Sequence, residues 1–526
     1  MRRVSLTLLL VPIVLAAVFW FRPPRGDDSY HHTINAVEQV RAWREGAVFP
    51  RYHRGWNGGT GTFVPSIYSP IPLLIQGGLA WITGDGQRAV GLSLAIALLV
   101  LAVALAGWTG RPAALWVALA PYPLAVAVSR STTTEAWALA GAAIVLPLAM
   151  PPAPMTPWRG VGLASGTFLV AGCQVGMLLQ LGWLLGVSWM VYVLVAMRGA
   201  GPELSSKGRE LVGAVSWSAA GLATAGILWV PAVLDAKYLA IGELTSGPLD
   251  WRNNFLPSSG ELGIFLTATA ASLMVLGCVV LSKGERTTRL SLVAAIVVGV
   301  ILSTRLSAPL WHLPKMEILQ FPWRTLGPTT LVAVMAIACL RDWWRAVGVV
   351  VLLLPLVLLP LRVGSGADSV PTNSTPEELA MIAHHQWGLA SVLPTTAGLY
   401  APGYHRLESL DHLARQQAWI EVVDRDATGG EWLVTHKIPG TVLLPLQWWP
   451  EWHIEVSGFD TEYTNRHGLV AVETGPGAVN IRASLAPSRS RRLGKILSIC
   501  GFVALVLLMV ERLNRDRKSP AHGGTS

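Results

Sequence analysis

Three polar clusters interrupt an otherwise apolar chain: Gly26-Asp27-Asp28-Ser29-Tyr30-His31-His32, Arg130-Ser131-Thr132-Thr133-Thr134-Glu135 and Gln320-Phe321-Pro322-Trp323-Arg324. Each lies at the edge of a long apolar run, where a membrane-crossing segment would meet water. A carboxylate in that position can take the proton of an acceptor hydroxyl or hold a divalent cation. Arginine contributes a planar fork that grips phosphate through two parallel hydrogen bonds. A base, a phosphate clamp and apolar walls are together what a sugar carried on a lipid phosphate requires.

Every one of these residues also has a plainer use. Asp28 precedes the amphipathic run 36–46, a standard helix start. Asp28 and His32 are four apart and share a helix face, which suits a metal pair or a carboxylate-oriented imidazole, but two ligands do not make a metal site. Glu135 can flank a helix with Arg130 as its surface partner. Arg324 can snorkel to headgroups, and Trp323 can belong to an interfacial aromatic belt. No phosphate-loop, dinucleotide, HExxH or CxxC motif is present. Ionisable residues stay out of the middle of the apolar runs; Glu135, Glu210, Glu261 and Arg305 sit at their ends. Transport driven by ATP or by ion coupling within this chain alone is therefore not expected.

The elements that must position these clusters follow from composition. Of 526 residues, 52% are hydrophobic and 13% charged, and mean hydropathy is +0.47. Soluble domains carry about 25% charge, so this balance reads as an α-helical polytopic membrane protein. Cys173, Cys278, Cys339 and Cys500 all fall in apolar runs, which excludes a disulfide scaffold. The net charge of +9 reads as orientation and lipid contact, with no nucleic-acid partner. Runs at 4–21, 88–107, 113–129, 134–150, 161–178, 180–197, 210–233, 261–282, 288–306, 325–341, 345–362 and 493–512 predict about twelve transmembrane helices, with 161–197 split into a hairpin near Gln180. Pro65, Pro70 and Pro72 break 65–83, which reads as interfacial or re-entrant.

Basic short loops at 198–209, 283–289 and 341–345, with Arg2, Arg3 and the tail after Arg512, put both termini on the cytoplasmic side of the membrane. Arg489, Arg491, Arg492 and Lys495 then lie outside, against that trend. The first run lacks a small-x-small cleavage site and reads as an uncleaved helix, 1–21. There follow an outer loop 22–87, a membrane core 88–362, an extracytoplasmic α+β domain 363–490 and a last helix with a basic tail, 491–526. Within the outer domain a helix is expected at 376–390 and antiparallel strands from 441 to 485. Under this topology all three polar clusters face outward.

Asp28-x-x-x-His32, the stretch Gly46-Ala47-Val48-Phe49-Pro50-Arg51-Tyr52, and Gly59-x-Gly61-x-x-x-Pro65-x-x-Tyr68-x-Pro70 resemble the first outer loop of GT-C-type membrane glycosyltransferases. The nearest resemblance is to a bacterial group labelled 6-pyruvoyl-tetrahydropterin synthase-related. Pro121-Tyr122 with Arg130 and Glu135 is similar to that group's second motif, and Gln320 through Arg324 to its third, the most specific. The resemblance covers about residues 1–480. It implies a transferase that moves a sugar from a polyprenyl-phosphate donor to a lipid, glycan or protein acceptor. Asp28 or Asp27 is then the base and Glu135 a second acidic group. Arg324 and Arg130 are expected to hold the donor phosphate, with His32, Gln320 and Trp323 in support. Related transferases often carry two acidic residues in the second loop; this chain has one, which leaves a metal open. The rival readings are a flippase of lipid-linked glycans and a non-catalytic envelope assembly protein.

Overall fold

A computed structural model describes residues 6–26, 28–56, 60–63, 65, 70–109, 120–150, 155–197, 203–238, 250–283, 286–313, 316–319, 321–340, 342–361, 370–374, 412, 416, 418–486 and 488–518. Asp27, Gln320 and the helix expected at 376–390 lie outside them. The chain is mostly helical and carries a small β domain near its C-terminus. The helices are α1 (Leu6–Phe21), α2 (Ser29–Arg44), α3 (Pro70–Thr83), α4 (Gly86–Thr109), α5 (Pro121–Ala125), α6 (Thr133–Ala149), α7 (Pro157–Met197), α8 (Glu203–Thr224), α9 (Gly226–Leu234), α10 (Gly260–Lys283), α11 (Arg286–Ser303), α12 (Leu326–Ala338), α13 (Asp342–Leu353) and α14 (Arg489–Lys518).

Among the described residues, four helical segments are long and apolar enough to cross a membrane: Gly86–Ala106, Pro157–Val195, Gly260–Ser282 and Arg489–Asn514. A fifth candidate is the pair α8–α9, bent by 72°. Most of the other predicted spans that are described form helices of 17 residues or fewer, and residues 113–119 of one lie outside the described residues. Helix α12, for example, has 13 residues, roughly 20 Å at 1.5 Å per residue. The expected reversal at Gln180 is absent. Gln180 is buried within α7, a helix of 41 residues whose break falls at Gln174, with φ −160° and ψ 90°. The run was split on length alone, and length does not locate a break. Helix α3, at 14 residues, is short for a span, as its prolines imply.

The helical core centres on α4, α6, α7 and α12. Helices α6 and α7 pass so closely that a Cβ on Gly141 would lie 3.0 Å from the Gly166 carbonyl oxygen. At the α8–α9 bend, the amide of Ile227 donates to Ser498 Oγ on α14 at 2.8 Å, satisfying a donor that the bend leaves without a helical partner.

The β domain begins earlier than expected. Strands β1 (Trp419–Asp426) and β2 (Gly429–His436) precede β3 (Gly440–Gln447), β4 (Trp452–Val456), β5 (Phe459–Asp460), β6 (Tyr463–Arg466), β7 (Leu469–Thr474) and β8 (Gly477–Leu485). They form two antiparallel sheets, ordered β1-β2-β8-β4-β5 and β3-β7-β6. Two hairpins turn through residue pairs with positive φ, Ser457-Gly458 and His467-Gly468, as two-residue turns matched to strand twist require. Trp432, Val434, Ile481 and Ala483 alternate inward and share a core with Tyr52 and Phe63 from the loop after α2. Phe63 stacks on Trp449 with centroids 4.5 Å apart, and the Gln447 amide donates to the Thr60 carbonyl at 2.9 Å. The loop after α2 is thus fastened to the β domain.

Candidate functional site

The site forms where the start of α2 meets the turn between α5 and α6. After α5 the chain makes a π-helical turn, Val126–Arg130, and Ser131 takes a left-handed conformation at φ 56°. A π turn followed by a left-handed non-glycine residue is a costly backbone arrangement of the kind concentrated at functional sites. The turn aims its backbone at α2: the Asp28 amide donates to the Arg130 carbonyl at 2.9 Å, and the Gly26 amide to Ser131 Oγ at 2.9 Å. A Cβ on Gly26 would lie 2.3 Å from the Arg130 carbonyl carbon, so only glycine fits this approach.

Asp28 occupies the N-cap position of α2 but makes no side-chain cap bond. Its carboxylate turns toward the second cluster instead. Thr132 Oγ1 donates to Oδ2 at 2.5 Å and Arg130 Nη2 donates to the same oxygen at 3.2 Å. The other Arg130 nitrogen, Nη1, bonds Glu135 Oε2, and the Tyr122 hydroxyl donates to Glu135 Oε1. Arg324 Nε lies 3.5 Å from Glu135 Oε2. The Arg130 guanidinium sits 4.8 Å from the Trp323 ring centroid, and that of Arg324 lies 4.6 Å from Phe321. The first and second clusters and the Phe321–Arg324 part of the third therefore meet in one network.

The plain readings of several residues give way here. Glu135 is 0% exposed and Arg130 is buried, so they are not a surface pair. Trp323 is packed beneath Arg130 and does not face outward as a belt residue would. Of the four charged groups in the network Asp28 is the most exposed, with 36% of its side chain accessible. Sequence reasoning does not reach the bonds of Tyr122, Thr132, Thr133 and Gln76; the only available hint was the density of hydroxyls at 131–134.

Charge follows geometry. Burial by itself would raise the Asp28 carboxyl, but Arg130, then His32, the Thr132 hydroxyl and Arg324 outweigh it and hold the group below its ordinary value. Arg130 is held above its ordinary value: burial opposes its charge, and Glu135 and Asp28 outweigh burial. His32 is pushed down to about 3, first by burial, then by the charges of His31 and Arg130, against the pull of Asp28. His31 is pushed down to about 4 by burial, with Asp28 opposing. Thr133 Oγ1 accepts from Gln76 Nε2 and is hydrogen-bonded to His32 Nδ1 at 3.1 Å. The Thr133 hydroxyl thus ties Gln76 on α3 to His32 on α2.

The arrangement does not suit a divalent cation shared by Asp28 and Glu135, because Arg130 stands between them and bonds each through a different nitrogen. Among the described residues the metal-type grouping is elsewhere, His453, Glu455 and Asp460 on β4 and β5, with ligand atoms within 4.8 Å of one another. That trio is exposed and already joined by contacts from His453 Nε2 to Glu455 (3.3 Å) and Asp460 (3.1 Å). What the α2 site offers is an accessible, ionised carboxylate on a buried scaffold of one arginine and one glutamate, with a second arginine beside it. No family model, no curated protein and no solved structure matches this chain.

Proposed function

We propose that the chain is a multi-pass membrane glycosyltransferase of GT-C type, acting at the outer face of a bacterial inner membrane. It transfers a sugar from a polyprenyl-phosphate donor to an envelope lipid, glycan or protein acceptor. Support for a membrane setting comes from helices such as α14, whose apolar window is only 11% buried by the rest of the chain. Ile496, Ile499, Phe502 and Leu507 there are each more than half exposed, an arrangement that hydrocarbon accommodates and water does not.

The observation that carries the catalytic reading is the carboxylate of Asp28. A mere cap would bond the amides of its own helix; this one is turned away from them, fixed by Thr132 and Arg130, and partly exposed. In the proposed reaction the acceptor oxygen forms a bond to the anomeric carbon while the bond from that carbon to the lipid phosphate breaks. The phosphate leaves with the electron pair, and Asp28 takes the acceptor's hydroxyl proton. Arg130 and Glu135 hold Asp28 in register. Arg324, whose Nε lies 3.5 Å from Glu135 Oε2, presents its terminal nitrogens to the departing phosphate.

The test is a comparison of envelope glycans and glycolipids by mass spectrometry in cells lacking the chain, restored with the parent or with Asp28→Asn. A positioned base contributes about 100- to 10,000-fold to rate, so Asp28→Asn should leave the product near the level of the empty strain while protein abundance holds. Parental product levels with Asp28→Asn would refute the assignment.

A further inference from the structure

A second region combines charge with apolar walls. Between the loop after α2, helix α3, the bend at α9 and the start of α14 lies a cavity of about 410 Å³. Four cations line it: Arg51, Arg491, Arg492 and Lys495. Its apolar wall is built from Leu73 and Leu74 on α3 and from Ile227, Leu228 and Pro231 on α9. Helices α9 and α14 approach closely enough to form that corner because Gly226 and Gly494 face each other; a Cβ on Gly494 would stand 2.9 Å from the Gly226 carbonyl oxygen.

The positive charge is only partly answered. Arg51 bonds Glu451 and the Ala486 carbonyl, the latter at 2.5 Å. Asp235, bonded by Ser490 Oγ at 2.8 Å, is the other carboxylate whose charge reaches Arg51 and Arg491. Arg492 and Lys495 are exposed at its mouth. Among the described residues, Glu451 and Asp235 are the carboxylates shown beside Arg51 and Arg491. Burial, and after it the charge of Arg491, lowers Arg51 to about 10, the direction expected where like charges crowd together. A cluster of this kind is relieved by an anion, and its wall selects one attached to hydrocarbon.

We propose that this cavity binds a phosphate carried on a hydrocarbon chain, with Arg491, Arg492 and Lys495 on the phosphate and Leu73, Leu74 and Leu228 along the first methylenes. The proposal rests on the reading that the chain works in a bilayer. The site shares no residue with the Asp28 network, yet α3 touches both: Leu73 and Leu74 line the cavity, while Gln76 bonds Thr133 beside His32. Two lipids supply this chemistry, a bilayer phospholipid with a phosphodiester and a polyprenyl carrier with a phosphate monoester.

The experiment uses the full chain purified in detergent and titrated separately with phosphatidylglycerol, a polyprenyl monophosphate, phosphatidylcholine and inorganic phosphate, with binding read by native mass spectrometry. The expected result is retention of an anionic phosphate lipid, whose charge no choline neutralises, over phosphatidylcholine and inorganic phosphate; which of the first two binds more tightly identifies the source. Arg492→Gln with Lys495→Gln, both exposed positions, should weaken that lipid about ten- to a hundred-fold without moving the lipid-free melting temperature. Leu228→Trp, which fills the apolar wall, should weaken the lipid further than inorganic phosphate. Unchanged lipid affinity in the double variant, or equal retention of phosphatidylcholine, overturns the proposal. Asp28→Asn keeps the two readings apart. Lipid binding with undiminished transfer in Asp28→Asn refutes the role given to Asp28 alone, and lost transfer with no lipid selectivity in the parent refutes the cavity alone.

Discussion

Arginine is used in opposite ways in two regions of this molecule. In the α2 site Arg130 is buried between Glu135 and Asp28, and every charge has a partner in reach. At the α9–α14 cavity the cations outnumber the carboxylates, and two of them are exposed. The first arrangement fixes geometry; the second leaves positive charge to be met from outside. The same residue type therefore positions a neighbour in one place and recruits a ligand in the other, and the number of nearby carboxylates decides which.

Removing charge should separate the two regions sharply. Arg130→Leu leaves Glu135 buried without its main partner, and breaking one side of a buried pair costs about 3–5 kcal/mol. A marked fall in melting temperature is expected, far beyond that of Arg492→Gln; equal melting curves would mean that Arg130 is not a scaffold. A smaller effect is expected at Arg324, which stands between the two classes. Arg324→Lys keeps the charge but loses the planar fork. It should raise the donor concentration needed for half-maximal transfer about ten- to a hundred-fold while leaving the acceptor requirement unchanged. No change across donor concentrations would assign Arg324 to the scaffold with Arg130.

How much of this is visible in the sequence depends on the range over which each feature acts. The clusters were legible because charged and hydroxyl side chains are rare in so apolar a chain. The first turn of α2 was legible because Asp28 precedes an amphipathic run. That its side chain would leave the cap for Thr132 and Arg130 was not, since the competing bond comes from residues about a hundred positions away. The break at Gln174 was hidden for a related reason. Gly172 and Gly176 flank that position, but glycines recur throughout this run, so they do not single it out. Strands β1 and β2 were missed because their charged outward faces dilute the alternation that revealed the later strands.

A further prediction concerns acid. His31 and His32 are held neutral in the folded chain, at about 4 and about 3, against about 6.5 when unfolded. Groups depressed in this way contribute stability that is full above pH 6.5 and is lost as pH falls toward their folded values, at most about 1.4 kcal/mol per pH unit for each ring. The melting temperature should therefore fall between pH 6.5 and pH 4, and His32→Gln should flatten the slope. An unchanged slope would mean that His32 is already charged in the folded protein.

The distance along the chain between partners also sets an order of assembly during synthesis. The contacts of Asp28 with Arg130 and Thr132 need nothing beyond α6, and Arg324 joins Glu135 some 190 residues later. The cavity pairs Arg51 with a wall that begins at Ser488, more than 430 residues downstream. A nascent chain can thus close its acidic centre hundreds of residues before it has a basic mouth, and a chain interrupted ahead of α14 retains the one without the other. Until α14 emerges, Leu73, Leu74, Ile227 and Leu228 face an open groove, so the last helix acts as a late latch on a structure whose acidic centre is already in place.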